Sequence, residues 1–229
     1  MKKIVVLTGA GISEESGIKT FRDAGGLWEG HDIMEVASPE GWRKNKELVL
    51  DFYNLRRKQL KEVEPNEAHK LLVKLEEKYK VVVVTQNVDD LHERAGSSTI
   101  IHLHGELLKV RSTLNPELIY EWKEDITLED KCEKGSQLRP HIVWFGEEVP
   151  MMSKALHEVI DADIIIVIGT SLQVYPAAGI LTYAPPQKRK ILVDRKIPDV
   201  KGVSNLETYE MKASEGVKQV VEKLLNEAE

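Results

Sequence analysis

The stretch TGAGISEESGIKTFRDAGGLW (Thr8–Trp28) follows directly on the apolar run Ile4-Val5-Val6-Leu7. An unbroken, largely β-branched run of this kind reads as a strand buried on both faces, the signature of a parallel sheet. Two glycines one residue apart, Gly9 and Gly11, then let the backbone approach a phosphate closely. A helix after such a loop presents N–H groups and a partial positive charge to an anion. That is a dinucleotide site in outline. The dehydrogenase fingerprint is not completed, because Glu14 stands where its third glycine belongs and Gly17 comes three residues late. No Gly-Lys-Ser/Thr follows either, which excludes a Walker A loop. Taken alone, the loop has a tight strand-to-helix turn as its less favoured alternative.

Outward from this loop, strand-like and helix-like segments alternate. Val81–Val84 and Ile164–Ile168 repeat the β-branched pattern, and Ile191–Val193 is a shorter version. Between them, Glu67–Lys78 carries Ala68, Leu71, Leu72 and Leu75 on one helical stripe, and Glu215–Leu225 carries Val217, Val220, Val221 and Leu224. The alternation predicts an α/β fold, a Rossmann-like doubly wound parallel sheet. Ligands of such sheets sit outside the carboxyl ends of the strands, where the loops after Leu7, Val84 and Ile168 converge. Two stretches break the rhythm: a mainly helical one over about 25–65 and a charged, turn-rich one over about 108–139. Both read as parts of a smaller module inserted into a larger part (about 1–24, 66–107 and 140–229), the two forming one domain over 1–229.

A chain of 229 residues suffices for one sizeable domain with a real core. Its net charge of −6 argues against a nucleic-acid binder, which needs basic surface to displace counterions. Cys132 is the one cysteine, so an internal disulfide framework is excluded and a cytoplasmic setting expected. The apolar run after Lys3 is too short for a signal peptide, and no stretch approaches the roughly 18 apolar residues of a membrane span.

The second strand ends in Thr85-Gln86-Asn87-Val88-Asp89-Asp90-Leu91-His92, whose amides and carboxylates suit a ribose or carboxamide. Asp89 or Asp90 reads equally as the cap of a short helix that Gly96 ends. Gly169-Thr170-Ser171 offers hydroxyls at the same edge. In Ile101–Leu107, His102, His104 and Glu106 share a face if extended. A metal site there competes with one histidine acting as general base. The base reading is preferred, since no further ligand cluster is evident, and His102 fits a structural histidine better than His104 does. In Lys46–Glu62, Val49, Tyr53, Arg56 and Leu60 recur at helical spacing, placing Tyr53 and Arg56 on one stripe. An arginine fork beside a phenol is a receptor for a carboxylate. By itself Arg56 reads as a solvated charge, since Arg57 and Lys58 follow it.

Gly9-Ala10-Gly11-Ile12-Ser13, Thr20-Phe21-Arg22, Gly26-Leu27-Trp28, Gln86-Asn87-Val88-Asp89, His104-Gly105, Val143–Glu147 and Gly169-Thr170-Ser171 together resemble the sirtuin family, in the sirtuin order. Within it the chain is most similar to the bacterial CobB-type enzymes of the class that removes acidic acyl groups. The resemblance implies an NAD-dependent protein-lysine deacylase, with NAD as co-substrate and acylated lysine side chains of proteins as partners. The acyl oxygen attacks the ribose carbon as nicotinamide departs, and the acyl group ends on ADP-ribose.

By that resemblance His104 is the general base and Asn87 acts beside it. Gly9, Ala10, Gly11 and Ser13 hold the pyrophosphate, while Phe21 and Arg22 belong to the loop over the nicotinamide ribose and Thr20 and Trp28 count with them as cofactor-binding residues. Gln86, Asn87 and Asp89 line the ribose and carboxamide pocket, and Gly169, Thr170 and Ser171 face the adenosine half. Val143, Phe145 and Gly146 lie in a peptide-binding strand over His141–Glu147. Tyr53-x-x-Arg56 matches the desuccinylase and demalonylase motif, with Ala24 as the small residue that makes room for the longer acyl group.

Two departures from the family stand out. Most sirtuins carry four cysteines on a structural zinc, but here Ser112 stands where the first is expected and the later pair is reduced to Cys132. One thiolate cannot build a closed tetrahedral site, so no zinc is expected. Leu114, Leu118, Ile119, Tyr120, Trp122, Ile126 and Leu128 are the candidates for an apolar substitute. Asp194 stands where many relatives place an asparagine near the adenosine ribose. The rivals are an ADP-ribosyltransferase on the same NAD site and a non-catalytic NAD-sensing module. A hydride-transferring dehydrogenase is disfavoured by the missing third glycine.

Overall fold

The computed structural model describes residues 1–19, 27–28, 30–173 and 177–228, with the backbone alone at 27–28 and 177–178. Strand β1 (Lys3–Thr8) is followed by a short hairpin, β2 (Leu27–Trp28) and β3 (His31–Asp32). Helices α1 (Ile33–Val36), α2 (Pro39–Lys44), α3 (Lys46–Glu62) and α4 (Glu67–Lys74) come next. Then follow β4 (Lys80–Thr85), α5 (Leu91–Ala95), β5 (Ile100–His102), β6 (Gly105–Ser112), β7 (Ile119–Glu121) and β8 (Leu138–Ile142). The chain closes with α6 (Met152–Asp161), β9 (Ile164–Ile168), β10 (Arg189–Asp194), β11 (Leu206–Glu210) and α7 (Ala213–Glu227).

Six of these strands form one parallel sheet in the order β11-β10-β9-β1-β4-β5. The chain winds from β1 through β4 to β5 on one side, and from β9 to β11 on the other, so the direction of winding reverses beside β1. A ligand crevice belongs at such a reversal, outside the carboxyl ends. The all-apolar strands are explained by cover on both faces. Ile4, Val6, Val83 and Ile166 pack under α4 and α7, whereas Val5, Leu7, Val84 and Val167 pack under α6. A third apolar cluster gathers α1, α2 and α3 with β6 and β8, around Trp42, Tyr53, Leu107 and Trp144.

Two elements differ from the sequence reading. The helix expected over Glu67–Lys78 ends at Lys74 and tightens to a 3₁₀ turn, Leu75–Glu77, because the Leu75 carbonyl receives both the Lys78 and Tyr79 N–H groups. The segment over about 108–139 is less irregular than expected. It contributes to a three-stranded antiparallel sheet, β7-β6-β8. Lys109 and Arg111 hide the alternation in sequence, but their heads are held by Glu106 and Glu147 while Leu107 and Val110 face the core.

Candidate functional site

The loop after β1 lies directly against the loop after β9. Gly9 N–H donates to the Ile168 carbonyl at 3.0 Å and Gly11 N–H to the Gly169 carbonyl at 2.8 Å. The approach leaves no room for side chains. Gly169 has φ +61°, and a Cβ there would lie 2.4 Å from the Ile12 nitrogen. Among the described residues directly after the loop, Ala10–Lys19, there is no α-helix, contrary to expectation. Two 3₁₀ turns, Ala10–Ile12 and Glu14–Ser16, end at Gly17 with φ +97°. Anion binding at this loop therefore loses the support of a helix dipole; with the Gly9, Gly11, Ile12 and Ser13 N–H groups engaged within the protein, it rests on the close backbone approach that the glycines allow.

Asn87 ties this loop to the one after β4. Its Nδ2 donates to the Gly9 carbonyl and to Ser13 Oγ, each at 3.1 Å. Ser13 Oγ in turn donates to Asp89 Oδ2 at 3.0 Å. Asp89 Oδ1 also accepts from Leu91 N–H at the start of α5, so the capping and site readings both apply to this residue. Burial pushes the Asp89 carboxyl up, against the hydrogen bonds from Leu91 and Ser13. Gln86 Nε2 reaches Thr170 Oγ1 at 3.1 Å, joining the β4 and β9 loops. Asp194, at the end of β10, accepts from Lys196 N–H at 3.0 Å.

His104 sits just after β5. Its Nδ1 lies 3.1 Å from the Gln86 carbonyl oxygen, which only accepts, so Nδ1 carries the proton and Nε2 the lone pair. Burial draws its pKa below the usual histidine value, partly offset by that bond. Gly105 follows at φ +83°, where a Cβ would lie 2.0 Å from the His141 carbonyl oxygen. Only glycine lets the chain turn there and bring His104 back beside Gln86.

The disfavoured grouping of His102, His104 and Glu106 as one ligand cluster does not form, since His104 lies apart from the other two. His102 turns instead to Glu93 on α5, with Nε2 2.7 Å from Glu93 Oε1 and Nδ1 3.1 Å from the Asn87 carbonyl oxygen. Donor atoms of Glu93, His102 and Glu106 all lie within 4.8 Å of one another. Lys109 engages Glu106 at 3.0 Å, however, and the cluster reads as an ion-pair group.

A single cavity of about 440 Å³ unites the site. The carboxyl edge of the sheet contributes Gly9, Ala10, Gly11, Ser13, Gln86, Asn87, Asp89, Gly169, Thr170, Ser171 and Asp194. His104 joins them, as do Tyr53 and Arg56 from α3 and Val143, Phe145 and Gly146 after β8. Every expected site residue within the described side chains therefore lines one cavity. Thr20, Phe21, Arg22 and Ala24, and the side chain of Trp28, lie outside the described residues. Glu14, Gln59 and Arg195 also line the cavity, and sequence reasoning did not single them out.

On α3, Tyr53 is fully buried and its hydroxyl accepts from Trp144 Nε1 at 3.1 Å. Burial drives the phenol well above its usual pKa, so it stays protonated near neutrality. The neighbouring Arg57 is not solvated as its position in a charged run suggests. It is buried, donating to the Leu107 carbonyl and to Asn54 Oδ1.

The strand expected over His141–Glu147 ends at Ile142. Beyond it Val143 N–H donates to the His104 carbonyl, Trp144 N–H to Glu147 Oε2 and Phe145 N–H to the Ala37 carbonyl. These bonds and Gly146 at φ +89° bend the chain into a turn. Glu147, quoted in the sequence motif but given no role there, anchors that turn. It meets Arg139 Nη1 at 2.7 Å and Arg111 Nη2 at 3.0 Å, and the Arg139 guanidinium stacks over Trp144 at 3.3 Å.

Around Cys132 the donor set does not fit a structural zinc. Cys132 Sγ lies 3.3 Å from Ser112 Oγ, which also accepts from the Leu114 and Asn115 N–H groups. One thiol among hydroxyls cannot form the closed thiolate tetrahedron. Of the proposed apolar substitute, Leu118, Tyr120, Trp122 and Ile126 belong to or pack on the third cluster. Leu114, Ile119 and Leu128 do not serve: Leu114 is 68% exposed, and Ile119 and Leu128 point outward as well.

The Sir2 family profile matches residues 9–176. An NAD-dependent protein deacylase of Helicobacter pylori strain J99 is 56% identical over 228 residues, covering 100% of this chain and 97% of the relative. Another protein of that description, from Bacteroides thetaiotaomicron, is 52% identical, covering 98% of this chain and 99% of its own length. Among solved structures, a Sir2 homolog–NAD complex superposes with a TM-score of 0.89 at 38% identity, over 100% of this chain and 91% of that one. The family profile spans most of the chain and the relatives match along its length; the chain belongs to the Sir2 family, the sirtuins.

Proposed function

We propose that this protein is an NAD-dependent protein-lysine deacylase that moves the acyl group from lysine to ADP-ribose with release of nicotinamide, and that it prefers succinyl- and malonyl-lysine. One observation carries the reading. His104, with its proton on Nδ1 and its lone pair on Nε2, lines the same cavity as the glycine loops after β1 and β9 and the Tyr53–Arg56 pair. The names of the H. pylori and B. thetaiotaomicron relatives support NAD-dependent deacylation.

In this reading Gly9, Ala10, Gly11 and Ser13 receive the pyrophosphate, and Gly169, Thr170, Ser171 and Asp194 the adenosine half. Gln86, Asn87 and Asp89 orient the nicotinamide ribose. The substrate acyl oxygen attacks the ribose carbon as nicotinamide leaves. His104 Nε2 then takes the proton of a ribose hydroxyl, a step suited to a neutral imidazole and requiring no metal. The cavity wall formed by Val143, Phe145 and Gly146 receives the acyl-lysine. Backbone pairing with an extended peptide would use groups beyond the three N–H donors already engaged at Val143, Trp144 and Phe145.

Acyl preference rests on Tyr53 and Arg56. A protonated phenol and a guanidinium together donate to a carboxylate, whereas the methyl end of an acetyl group offers no acceptor to receive them. No helix among the described residues is long and apolar enough to cross a membrane; a cytoplasmic setting is part of this reading, in keeping with the single cysteine. The division into a sheet part and an inserted module is supported by the separate apolar cluster beneath α3 and β6.

The test compares NAD-dependent turnover of one peptide carrying succinyl-, malonyl- or acetyl-lysine, for the parent and for Arg56→Met. Preference for the acidic groups in the parent, lost selectively in Arg56→Met, supports the clamp. An acetyl preference untouched by Arg56→Met overturns it.

A further inference from the structure

The two histidines that alternate in His102-Leu103-His104 do parallel work on the loop after β4. His104 Nδ1 donates to the Gln86 carbonyl and His102 Nδ1 to the Asn87 carbonyl, each at 3.1 Å. Two successive peptide oxygens are thus held by two rings two residues apart. His102 in turn is fastened at its other nitrogen, 2.7 Å from Glu93 Oε1. The Asn87 side chain continues the chain of contacts into the site, through the Gly9 carbonyl and Ser13 Oγ.

Resting on the NAD-ribose role assigned above to Asn87, we propose that His102, fastened by Glu93, is a positioning residue that holds the Asn87 backbone so that its amide and the neighbouring His104 keep their places around the reacting ribose. His102 lines no part of the cavity and so acts only through Asn87.

Both ring nitrogens of His102 face acceptors, so the imidazolium satisfies both at once. Its surroundings favour that form. Burial works against the charge, but the Glu93 bond and charge and the Asn87 carbonyl outweigh it, and the pKa is raised. For Glu93 burial pushes up, and the His102 bond brings the net shift down. The other charged or titratable groups that bear on the pair are Glu106 and Lys109 on β6, His92 on α5 and Asp89 in the loop. When His102 loses its proton, one nitrogen must present a lone pair to an acceptor. The ionised Glu93 is the stronger claimant for the remaining N–H, so the Asn87 carbonyl is the one abandoned. The brace is therefore present below the pKa of His102 and lost as pH rises through it.

The geometry sets up a discriminating pair of variants. In His102→Asn, Nδ2 occupies the place of Nδ1 and keeps the bond to Asn87. In His102→Gln, Nε2 reaches toward Glu93 and that bond is lost. Nicotinamide release from NAD with an acyl-peptide is measured for both, with melting temperatures alongside. His102→Gln is expected to lose about tenfold in kcat, as a small misplacement of reacting groups does, with the peptide KM unchanged. His102→Asn is expected to recover most of it. The parent is expected to show an alkaline fall of kcat, and Glu93→Gln, whose amide can donate to Nε2 and leave Nδ1–H on Asn87, to lose it. Equal activities of the Asn and Gln variants, or an unaltered alkaline limb in Glu93→Gln, would overturn the proposal. If His104→Ala is inactive while His102→Gln turns over like the parent, the brace alone falls. Should His104→Ala itself remain active, the assignment of the reaction to this site falls first.

Discussion

His104 Nδ1 donates to the carbonyl oxygen of Gln86 at 3.1 Å, and this bond decides which nitrogen of the ring can receive a proton. Nε2 is left basic on a ring that lines the cavity. Because burial lowers the pKa of His104, the ring is neutral and competent at lower pH than an exposed histidine. The acid limb of kcat/KM is expected below pH ~6.5, the unperturbed histidine value, and His104→Ala to lose about 10²–10⁴ in kcat. A pH–rate profile on the acyl-peptide reaction checks both. An acid limb well above neutrality would contradict the lowering of the His104 pKa by burial.

Stability toward acid is set partly by a different histidine. His69 is fully buried on α4, its ring edge-on to His92 at 4.9 Å, and burial draws its pKa down to about 4. The unfolded chain takes up a proton near pH 6.5, and the native one only near 4. Stability is therefore full above ~6.5 and declines as pH falls through that window, by about 3 kcal/mol for this group alone. Urea midpoints between pH 7 and 4.5 are expected to fall, with a shallower fall in His69→Leu. A parent midpoint that does not change across this range would rule the linkage out.

Glu147 neutralises two guanidiniums that have little access to water. Burial lowers the Arg139 pKa and the Glu147 bond raises it, leaving a net fall, which marks how much the cation depends on its partner. Glu147→Ala strands Arg139 and also frees the Trp144 N–H from its acceptor. The expected cost is about 3–5 kcal/mol, together with a raised KM for the acyl-peptide, because the turn carrying Val143 to Gly146 loses its anchor. Denaturant titration and peptide kinetics read the two effects separately. A destabilisation below 1 kcal/mol with an unchanged KM would show that the clamp is dispensable.

Around Cys132, Ser112 Oγ gathers three donors, the Cys132 thiol and the Leu114 and Asn115 N–H groups. One thiol hydrogen-bonded to a hydroxyl is not the closed thiolate tetrahedron that a structural zinc requires. Exhaustive chelation is expected to leave the melting temperature and the acyl-peptide activity unchanged. Stoichiometric zinc retained through dialysis, and a fall in melting temperature on its removal, would contradict this.

The sheet and most of the site were legible in the sequence because they depend on local signals. β-branched runs mark buried parallel strands, and the glycines at 9, 11 and 169 mark where two loops touch backbone to backbone. What escaped depends on partners distant in sequence. Arg57 and Lys190 look like surface charges, yet both are buried. Arg57 reaches the Leu107 carbonyl and Asn54, while the Lys190 ammonium is ringed by the carbonyls of Pro185, Pro186, Lys188 and Ser204. No periodicity announces such a cage. The strand assigned over His141–Glu147 erred for a similar reason: the β-prone apolar run continues to Phe145, but Glu147 folds back to capture the Trp144 N–H. His102 and His104 share a two-residue spacing but diverge, since only the neighbouring helix α5 supplies Glu93.

The most direct test of the account follows where the ADP-ribose of NAD goes. The parent and His104→Ala are incubated with NAD and a succinyl-lysine peptide, and the products are resolved by mass. The account predicts free lysine peptide, nicotinamide and succinylated ADP-ribose in equal amounts from the parent, with none from His104→Ala. ADP-ribose attached to the peptide with its succinyl group intact, or nicotinamide released without any dependence on the acyl-lysine, would contradict it.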